Sequence, residues 1–225
     1  MDKTKSSVIL APNCIEDFFD GNSGDVWYLA GFSWSAYSSE RERNNGGDYR
    51  NCWNSTKSGL ITKVRKKLET DAAIQHPPGS EQFRLQIRND HLQESLVRKG
   101  CLLDRTERTF PEGLDKRRAR HFIRGFLEDR LIFFDKLSET GQYYINDLRV
   151  RFNPDFLEEL YDALIEYTGV NRGKGVKYGP TPQLWFGHED SIRIHDFLYT
   201  IDWDYTKKHD LWLPSVKRRF EYTEI

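Results

Sequence analysis

Polar side chains that can donate several hydrogen bonds recur at every second position in two places along the chain. Arg84, Gln86 and Arg88 alternate with apolar residues in the first half, and Arg149 and Arg151 repeat the spacing in the second. A period of two is typical of a β-strand, so each set is predicted to lie on one face of a sheet. Guanidinium and amide groups in this arrangement can bind the phosphates and base edges of a nucleic acid, and the alternative is a solvated sheet face.

Two apolar runs with a small residue at matching positions lie one in each half of the chain. They are Trp27–Phe32, which contains Ala30 and Gly31, and His121–Phe126, which contains Gly125. Small residues let helix backbones approach closely, so the runs predict two helices packed against each other at the centre of a duplicated domain. The alternative is two ordinary core helices that contain glycine.

The elements around these runs are predicted to follow one order in both halves: helix, hairpin, helix, strand, helix. Asp25 is expected to cap the first helix, and Asn44-Asn45-Gly46-Gly47 to form the turn of the first hairpin. The predicted helices are about 26–34, from 58, 90–100, about 120–129, from 154, and 191–199; the predicted strands are 49–53, 83–88, 131–134, 143–145, 148–152 and 183–186. The repeat predicts a lead-in of residues 1–24 and two units, 25–112 and 113–225.

Composition sets limits on the class of protein. The 225 residues carry 34 Lys and Arg against 35 Asp and Glu, a net charge of −1, and 14% of them are aromatic. This length and aromatic content suffice for a sizeable core. A near-neutral balance is unusual for a protein that binds nucleic acid, so such a function requires the acids to gather away from the binding face.

The cysteines and the apolar segments indicate an intracellular protein. Cys14, Cys52 and Cys101 are odd in number and outside any C-x-x-C pattern, so ordinary reduced thiols are expected. No apolar run of about 18 residues occurs, and no signal peptide is recognised near the first residue. We therefore expect a location in the cytoplasm, a nucleoid or an organelle.

The chain resembles the LAGLIDADG homing endonucleases in their single-chain, two-motif form. Leu29-Ala30-Gly31-Phe32 is similar to the first motif and His121–Phe126 to the second, and Phe110-Pro111-Glu112 is similar to the approach to the second motif. The resemblance covers roughly residues 25–222. It implies an α+β fold of two duplicated αββαββα units, whose two antiparallel sheets form a pseudo-twofold saddle over DNA with the motif helices packed at the centre.

The resemblance also implies where catalytic acids should lie. In active members the eighth position of each motif is an acid, and the two acids hold divalent ions for phosphodiester cleavage. Those positions are Ala36, which has no ligand atom, and Arg130, whose charge opposes cation binding. Glu128 and Asp129 are the nearby acids and the candidates for a catalytic remnant. The alternative is a solvated last helical turn in which Arg130 favours the helix C-terminus.

The resemblance further implies that alternate strand residues face DNA. Lys116 and Arg117, just before the second motif, are candidates for phosphate contacts. The strand candidates are Arg41, Arg43, Arg50, Asn54, Arg84, Gln86 and Arg88 on the first sheet, and Gln142, Tyr144, Arg149, Arg151 and Gln183 on the second.

Together these features predict a catalytically inactive LAGLIDADG-type protein that binds double-stranded DNA in a sequence-dependent way, as a regulator or a targeting subunit. The alternatives are a protein-interaction module in a nucleic-acid-handling complex, a residual metal-dependent DNA endonuclease and an intron maturase. No cofactor is expected, and a divalent metal such as Mg²⁺ only if residual nuclease activity exists. We expect a monomer with internal pseudo-symmetry, a DNA or protein partner and no membrane association.

Overall fold

The computed structural model describes residues 13–41, 49–137, 144–171 and 175–199, and their packing divides the chain into two compact units. The first unit comprises Ala36–Arg98 and the described residues up to Gly21. The second comprises Asn22–Ser35 and the chain from Lys99 onward. The predicted turn at 44–47 lies outside the described residues. None of the described helices is long and apolar enough to cross a membrane.

The described part of the chain alternates helices with two antiparallel sheets, which confirms the predicted fold class. The first unit holds one sheet of order β1-β2-β3, and the second holds the other, of order β4-β5-β7-β6. The elements in chain order are α1 (Gly24–Ala36), β1 (Tyr37–Arg41), β2 (Tyr49–Ser55), α2 (Ser58–Lys67), β3 (Phe83–Arg88), α3 (Asp90–Arg98), α4 (Lys116–Arg130), β4 (Leu131–Leu137), β5 (Tyr144–Arg151), α5 (Pro154–Thr168), β6 (Val176–Lys177), β7 (Gln183–Phe186) and α6 (His188–Tyr199).

The second half of the chain repeats the first with one difference at the outer edge of the sheet. In the second half β6 pairs with β7. In the first half a single bridge takes that place: the N–H groups of Gln75 and Arg84 each donate to the other residue's carbonyl oxygen, at 2.8 Å. The αββαββα order is therefore complete in the second half and shortened to αββαβα in the first.

Side-chain caps fix where the motif helices begin, and they correct two predicted starts. The Asp115 carboxylate accepts a hydrogen bond from the Arg118 N–H at 2.8 Å, so α4 begins at Lys116 rather than near residue 120. The prediction that Asp25 caps the first helix is wrong, because Asp25 lies inside the first turn of α1. The Ser23 hydroxyl accepts from the Val26 N–H at 3.3 Å instead.

Two strands predicted at 143–145 and 148–152 are one strand, β5. Its register along β4 runs unbroken from the pair Leu137 and Tyr144 to the pair Leu131 and Val150. Antiparallel pairing satisfies the backbone groups of the polar dipeptide Asn146-Asp147, which therefore does not interrupt the strand. The strands predicted at 83–88 and 183–186 have the bounds that the alternation indicates.

Close backbone contact joins α1 and α4 inside the second unit. A Cβ atom placed on Gly31 would lie 1.9 Å from the carbonyl oxygen of Phe122, and one placed on Gly125 would lie 1.9 Å from that of Tyr28. Ala30 is fully buried. Both glycines lie inside regular helices, so what they supply is the absence of a side chain at the crossing.

The aromatic residues of the second half fill the core beneath this crossing. Phe156 of α5 lies at the centre of the cluster, with ring centroids 4.6 Å from Phe126, 5.0 Å from Phe152, 6.0 Å from Phe110 and 6.3 Å from Phe122. Edge-on and tilted contacts of this kind stabilise a core beyond the area they bury. The position of α4 is therefore fixed by α1 on one side and α5 on the other.

One exposed carboxylate ties the start of the first unit to its last helix. Asp20 accepts hydrogen bonds from the Ser95 hydroxyl and the Arg98 guanidinium, both at 2.7 Å, and lies 2.6 Å from the His91 ring nitrogen Nε2. The bonds from Ser95, Arg98 and His91 hold the pKa of the Asp20 carboxyl well below its usual range. Its charged form is thus stabilised by folding.

Replacing the crossing glycine tests the close approach of the helices. Gly125→Ala should lower the free energy of unfolding by about 1–3 kcal/mol or more, because a methyl group there meets backbone rather than a movable side chain. Gly59→Ala in α2, where the added atom meets nothing within 4 Å, should be neutral or stabilising. Urea unfolding followed by circular dichroism measures both. Equal losses in the two variants would contradict the packing described.

The Asp20 cluster predicts a pH-dependent contribution to stability. Because the folded pKa is depressed below the unfolded value of about 3.9, the stabilisation is complete above that pH and disappears as the pH falls further. Asp20→Asn should therefore lower the melting temperature at pH 7, and the difference from wild type should shrink below about pH 4. Asp71→Asn, at an exposed position, is the matched control and should show no such trend. A constant difference at all pH values would contradict the prediction.

Candidate functional site

The second motif helix ends in an arginine that binds the end of the first. Arg130 is the last residue of α4, and its Nη2 donates to the Ser35 carbonyl oxygen at 2.6 Å. The last carbonyls of a helix carry partial negative charge, so the guanidinium stabilises the C-terminus of α1 rather than that of its own helix. Ala36, the last residue of α1, is buried and offers no polar side-chain atom.

Asp129 is held by two partners. The Ser35 hydroxyl donates to its Oδ2 at 2.7 Å, and Arg130 Nε lies 3.4 Å from the same oxygen. Only 10% of the Asp129 side chain is exposed. The alternative of a solvated last turn is therefore wrong for this residue, whose carboxylate is a partly buried member of an ion pair.

Glu128 has different partners on the neighbouring helices. Tyr28 of α1 donates a short hydrogen bond to one carboxylate oxygen, and the Tyr199 hydroxyl of α6 lies 3.5 Å from the other. Burial, together with the Glu128 charge, raises the pKa of Tyr28 well above its usual value, so this phenol stays protonated and continues to donate. Glu128 and Asp129, although adjacent, are thus bound to separate sets of residues.

A second arginine also donates hydrogen bonds to the C-terminus of α1. Arg108 is fully buried, and its guanidinium donates to the carbonyl oxygens of Ser33 at 3.2 Å, Trp34 at 2.6 Å and Leu102 at 2.5 Å. Burial and the charges of Arg130 and Arg108 lower the pKa of Arg105. Two arginines thus bind the carbonyl oxygens at the end of α1.

These residues do not fit a divalent cation. Such an ion requires several oxygen ligands, and no group of three or more His, Cys, Asp or Glu residues suited to a metal occurs in the described ranges. Arg130 supplies a cation at the end of its helix, and Ala36 supplies no ligand atom.

One face of the first sheet carries the predicted polar residues of β2 and β3. The register places Arg50 opposite Arg88, and Asn54 opposite Arg84. Arg84 Nε donates to the Asn54 side-chain oxygen at 2.9 Å, and all four of these residues are half-buried. Gln86 lies opposite Cys52 on the same face. The structure thus brings the predicted side chains of these two strands together in one polar surface.

One face of the second sheet carries Arg149 and Arg151. Arg149 is the register partner of Trp185, and Arg151 that of Gln183. The Arg149 guanidinium carbon lies 4.3 Å from the centroid of the Trp185 ring, and the Lys177 ammonium lies 4.2 Å from it. Attraction between a cation and the face of an indole is favourable at such distances.

The remaining predicted contacts are dispersed. Lys116 and Arg117 are exposed in the first turn of α4, where Arg117 lines a surface pocket of about 310 Å³. Arg41 is the last residue of β1 and the register partner of Tyr49, and Tyr144 is the first residue of β5. Two further candidates, Arg43 and Gln142, lie outside the described residues.

Sequence reasoning did not select Arg108, Lys177 or Trp185. Alternation along β7 places Trp185 on the same face as Gln183, so the period of two could have identified it. Lys177 lies in a two-residue strand inside a glycine-rich segment, which is too short for a periodic pattern. Arg108 lies outside regular structure, and no pattern marks a buried arginine there.

Removing the buried guanidinium tests its role at the end of α1. Arg108→Leu leaves three carbonyl oxygens without their donor, and each buried unsatisfied group costs about 1–3 kcal/mol, so the variant should unfold at much lower urea concentration. Arg118→Leu, at a half-exposed arginine that pairs with exposed Asp115, is the control and should have a small effect. Similar losses in both variants would contradict the assignment.

Comparison with solved structures identifies the architecture. I-LtrWI, a LAGLIDADG homing endonuclease solved with its target DNA, has 11% identity and a TM-score of 0.55, with 92% of each chain covered. I-SmaMI, solved with cleaved DNA, has 12% identity, a TM-score of 0.56 and 88% of each chain covered. Variants of I-DmoI have 16% identity and a TM-score of 0.58, with 84% of this chain and 100% of theirs covered.

No protein-family model and no curated protein sequence matches the chain. The likeness to the solved endonucleases is therefore one of structure, and at these identities it establishes the architecture and not the activity. The paired helices with backbone contact at Gly31 and Gly125, and the antiparallel sheet in each compact unit, agree with it. The chain has the fold of the LAGLIDADG homing endonucleases.

Proposed function

We propose that this protein binds double-stranded DNA in a sequence-dependent way and does not cleave it. The observation that carries the proposal is the ion pair and hydrogen bonds at the end of α4. Arg130 binds the Ser35 carbonyl and Asp129, which leaves a guanidinium where a nuclease of this fold would hold a cation. A scaffold that keeps its helix packing but not its metal ligands supports binding without hydrolysis.

Two features support DNA as the ligand. Several structural neighbours of this fold were solved with DNA, among them I-LtrWI with its target and I-CpaMI with uncleaved DNA. In this chain arginine and amide side chains lie on one face of each sheet, where their spacing suits the base edges of a major groove. Both sheets therefore offer donors in the pattern that direct readout requires.

The net charge of −1 is compatible with this proposal because charges are segregated within the second unit. The acidic residues of α5 lie on a helix that covers the other side of the sheet, as the contact of Tyr161 with Phe186 at 5.8 Å between ring centroids shows. Phe186 and Leu184 are buried on that side, whereas Arg149 and Arg151 lie on the opposite face. The exposed acids of α5 are Asp155, Glu159, Asp162 and Glu166.

The proposed role is that of a regulator or a targeting subunit that acts as a monomer and needs no metal ion to bind DNA. Three other functions define the outcomes that would overturn it. A protein-interaction module would show no affinity for nucleic acid by itself. A residual endonuclease would nick DNA with Mg²⁺ or Mn²⁺, the ions named for solved complexes of I-DmoI. An intron maturase would prefer structured RNA to duplex DNA.

Selection from a random duplex library, followed by fluorescence anisotropy on the enriched sequence, tests the binding. We expect one enriched motif and affinity that falls steeply with salt, as phosphate contacts require. Arg84→Ala should weaken binding, whereas Arg65→Ala on the exposed face of α2 should not. No enriched motif together with salt-insensitive binding would overturn the proposal.

Incubation of the enriched duplex with Mg²⁺ or Mn²⁺ tests the absence of cleavage. We expect no nicked or cut product, since the acids near the helix ends are bound by Ser35, Arg130 and Tyr28. Metal-dependent nicking that is lost in Asp129→Asn or Glu128→Gln would show that a residual active site exists. Binding assays with EDTA should give the same affinity as those with Mg²⁺.

A further inference from the structure

The second sheet carries a three-residue cluster of one indole ring and two cations. Trp185 lies on β7, the strand between β5 and β6. Arg149 comes from β5 and Lys177 from β6, and each cation lies within 4.3 Å of the Trp185 ring centroid. The ring is thus approached by one cation from each neighbouring strand.

The cluster restricts the conformations available to the Arg149 side chain. The register places Ile132 of β4 on one side of Arg149 and Trp185 on the other, so the aliphatic stem lies between two apolar side chains on the sheet. Both Arg149 and Trp185 are half-buried. A guanidinium held by an aromatic face loses less conformational entropy when it binds a ligand than a mobile one does.

We propose that Arg149, positioned by Trp185, recognises a guanine in the major groove of duplex DNA. This inference rests on the proposed function and specifies the base that one residue reads. The Arg149 guanidinium carbon lies over the indole ring, and the N–H donors of a guanidinium lie in its plane at the edge. Two such donors match the O6 and N7 acceptors of guanine, the commonest specific contact of arginine with a base.

The other cations of the two sheets differ from Arg149 in chemistry or in surroundings. Lys177 is exposed, and its ammonium is a point charge without the planar donor pair of arginine, so it suits a phosphate oxygen beside the same base. Arg151 lies on the same face of β5 two residues later and is exposed. Arg84 in the first sheet is directed toward Asn54 by a hydrogen bond. Arg149 is the arginine that an indole orients.

Four variants separate a positioning role from a structural one. Arg149→Lys keeps the charge but removes the paired donors, and Trp185→Leu removes the ring while keeping an apolar strand residue. Trp185→Phe retains an aromatic face and is the rescue variant. Arg193→Lys, at an exposed arginine of α6 in the same unit, is the matched control. Circular dichroism and melting temperature establish that each variant is folded before its binding is measured.

The readout is the affinity for the duplex enriched with wild-type protein and for duplexes with each guanine replaced in turn. For wild type, replacing one guanine should weaken binding on the order of 10-fold, as loss of a bidentate contact does. For Arg149→Lys and Trp185→Leu that penalty should fall to about 2-fold or less. Trp185→Phe and Arg193→Lys should retain it. The slope of affinity against salt should be unchanged in Trp185→Leu, because a base contact releases no counterion.

Each outcome decides one of two questions. If wild-type protein enriches no duplex, both the proposed function and this inference fail. If it binds a duplex but the guanine penalty is the same in Arg149→Lys and Trp185→Leu as in wild type, the inference alone is overturned. A folded Trp185→Leu that loses affinity equally for all base replacements would also overturn it, since that pattern indicates a general structural effect.

Discussion

The backbone contact between α1 and α4 is the constraint on which the second unit depends. Gly31 and Gly125 each bring a glycine Cα against a carbonyl group of the other helix, and a Cβ at either position would lie 1.9 Å from an oxygen. At that separation the helices have no room for intervening side chains. The polar groups of their C-terminal residues therefore form hydrogen bonds with one another directly. The contacts of Arg130 with Ser35, of Ser35 with Asp129 and of Tyr28 with Glu128 are consequences of the same approach.

The C-terminal ends of α1 and α4 concentrate polar groups that need partners of opposite charge. Two helix C-termini side by side place partial negative charge in a small volume, and that charge requires positive partners. A metal ion held by carboxylates is one solution, and arginine is another. Arg130 and Arg108 supply the second solution from within the chain, with three hydrogen bonds to carbonyl oxygens at the end of α1.

Periodic patterns predicted the parts of the structure that depend on local geometry. The strands of residues 83–88 and 183–186, and the helix start at Pro154, follow from spacing and capping that few residues determine. The merged strand β5 was not predictable from its own residues, because pairing with β4 overrides the local preference of Asn146 and Asp147. The start of α4 depended on which of several polar residues supplies the cap.

The candidate sites also divide into those that local spacing predicts and those that depend on tertiary contacts. Period two placed Arg84, Gln86 and Arg88 on one face, and the register confirms that placement. The α1 partners of Asp129 and Glu128 could not be predicted, since Ser35 and Tyr28 lie 94 and 100 positions away and their rotation about α1 is fixed by the helix crossing. A contact set by the relative rotation of two helices has no local pattern in the sequence.

Acidic and basic side chains lie on opposite sides of the sheet in the second unit, and this explains how a near-neutral chain can present a basic surface. Buried residues of β5 and β7 face the helices, and the alternate residues face away from them, so a single period of two sorts apolar from cationic side chains. The helix side then carries the acids of α5, whose repulsion from a phosphate backbone is weakened by the thickness of the sheet layer and by screening within about 10 Å at 0.1 M salt. Local charge on the exposed face, rather than net charge, determines what that face can bind. Trp185 adds to this by holding two of the cations on one side of the sheet.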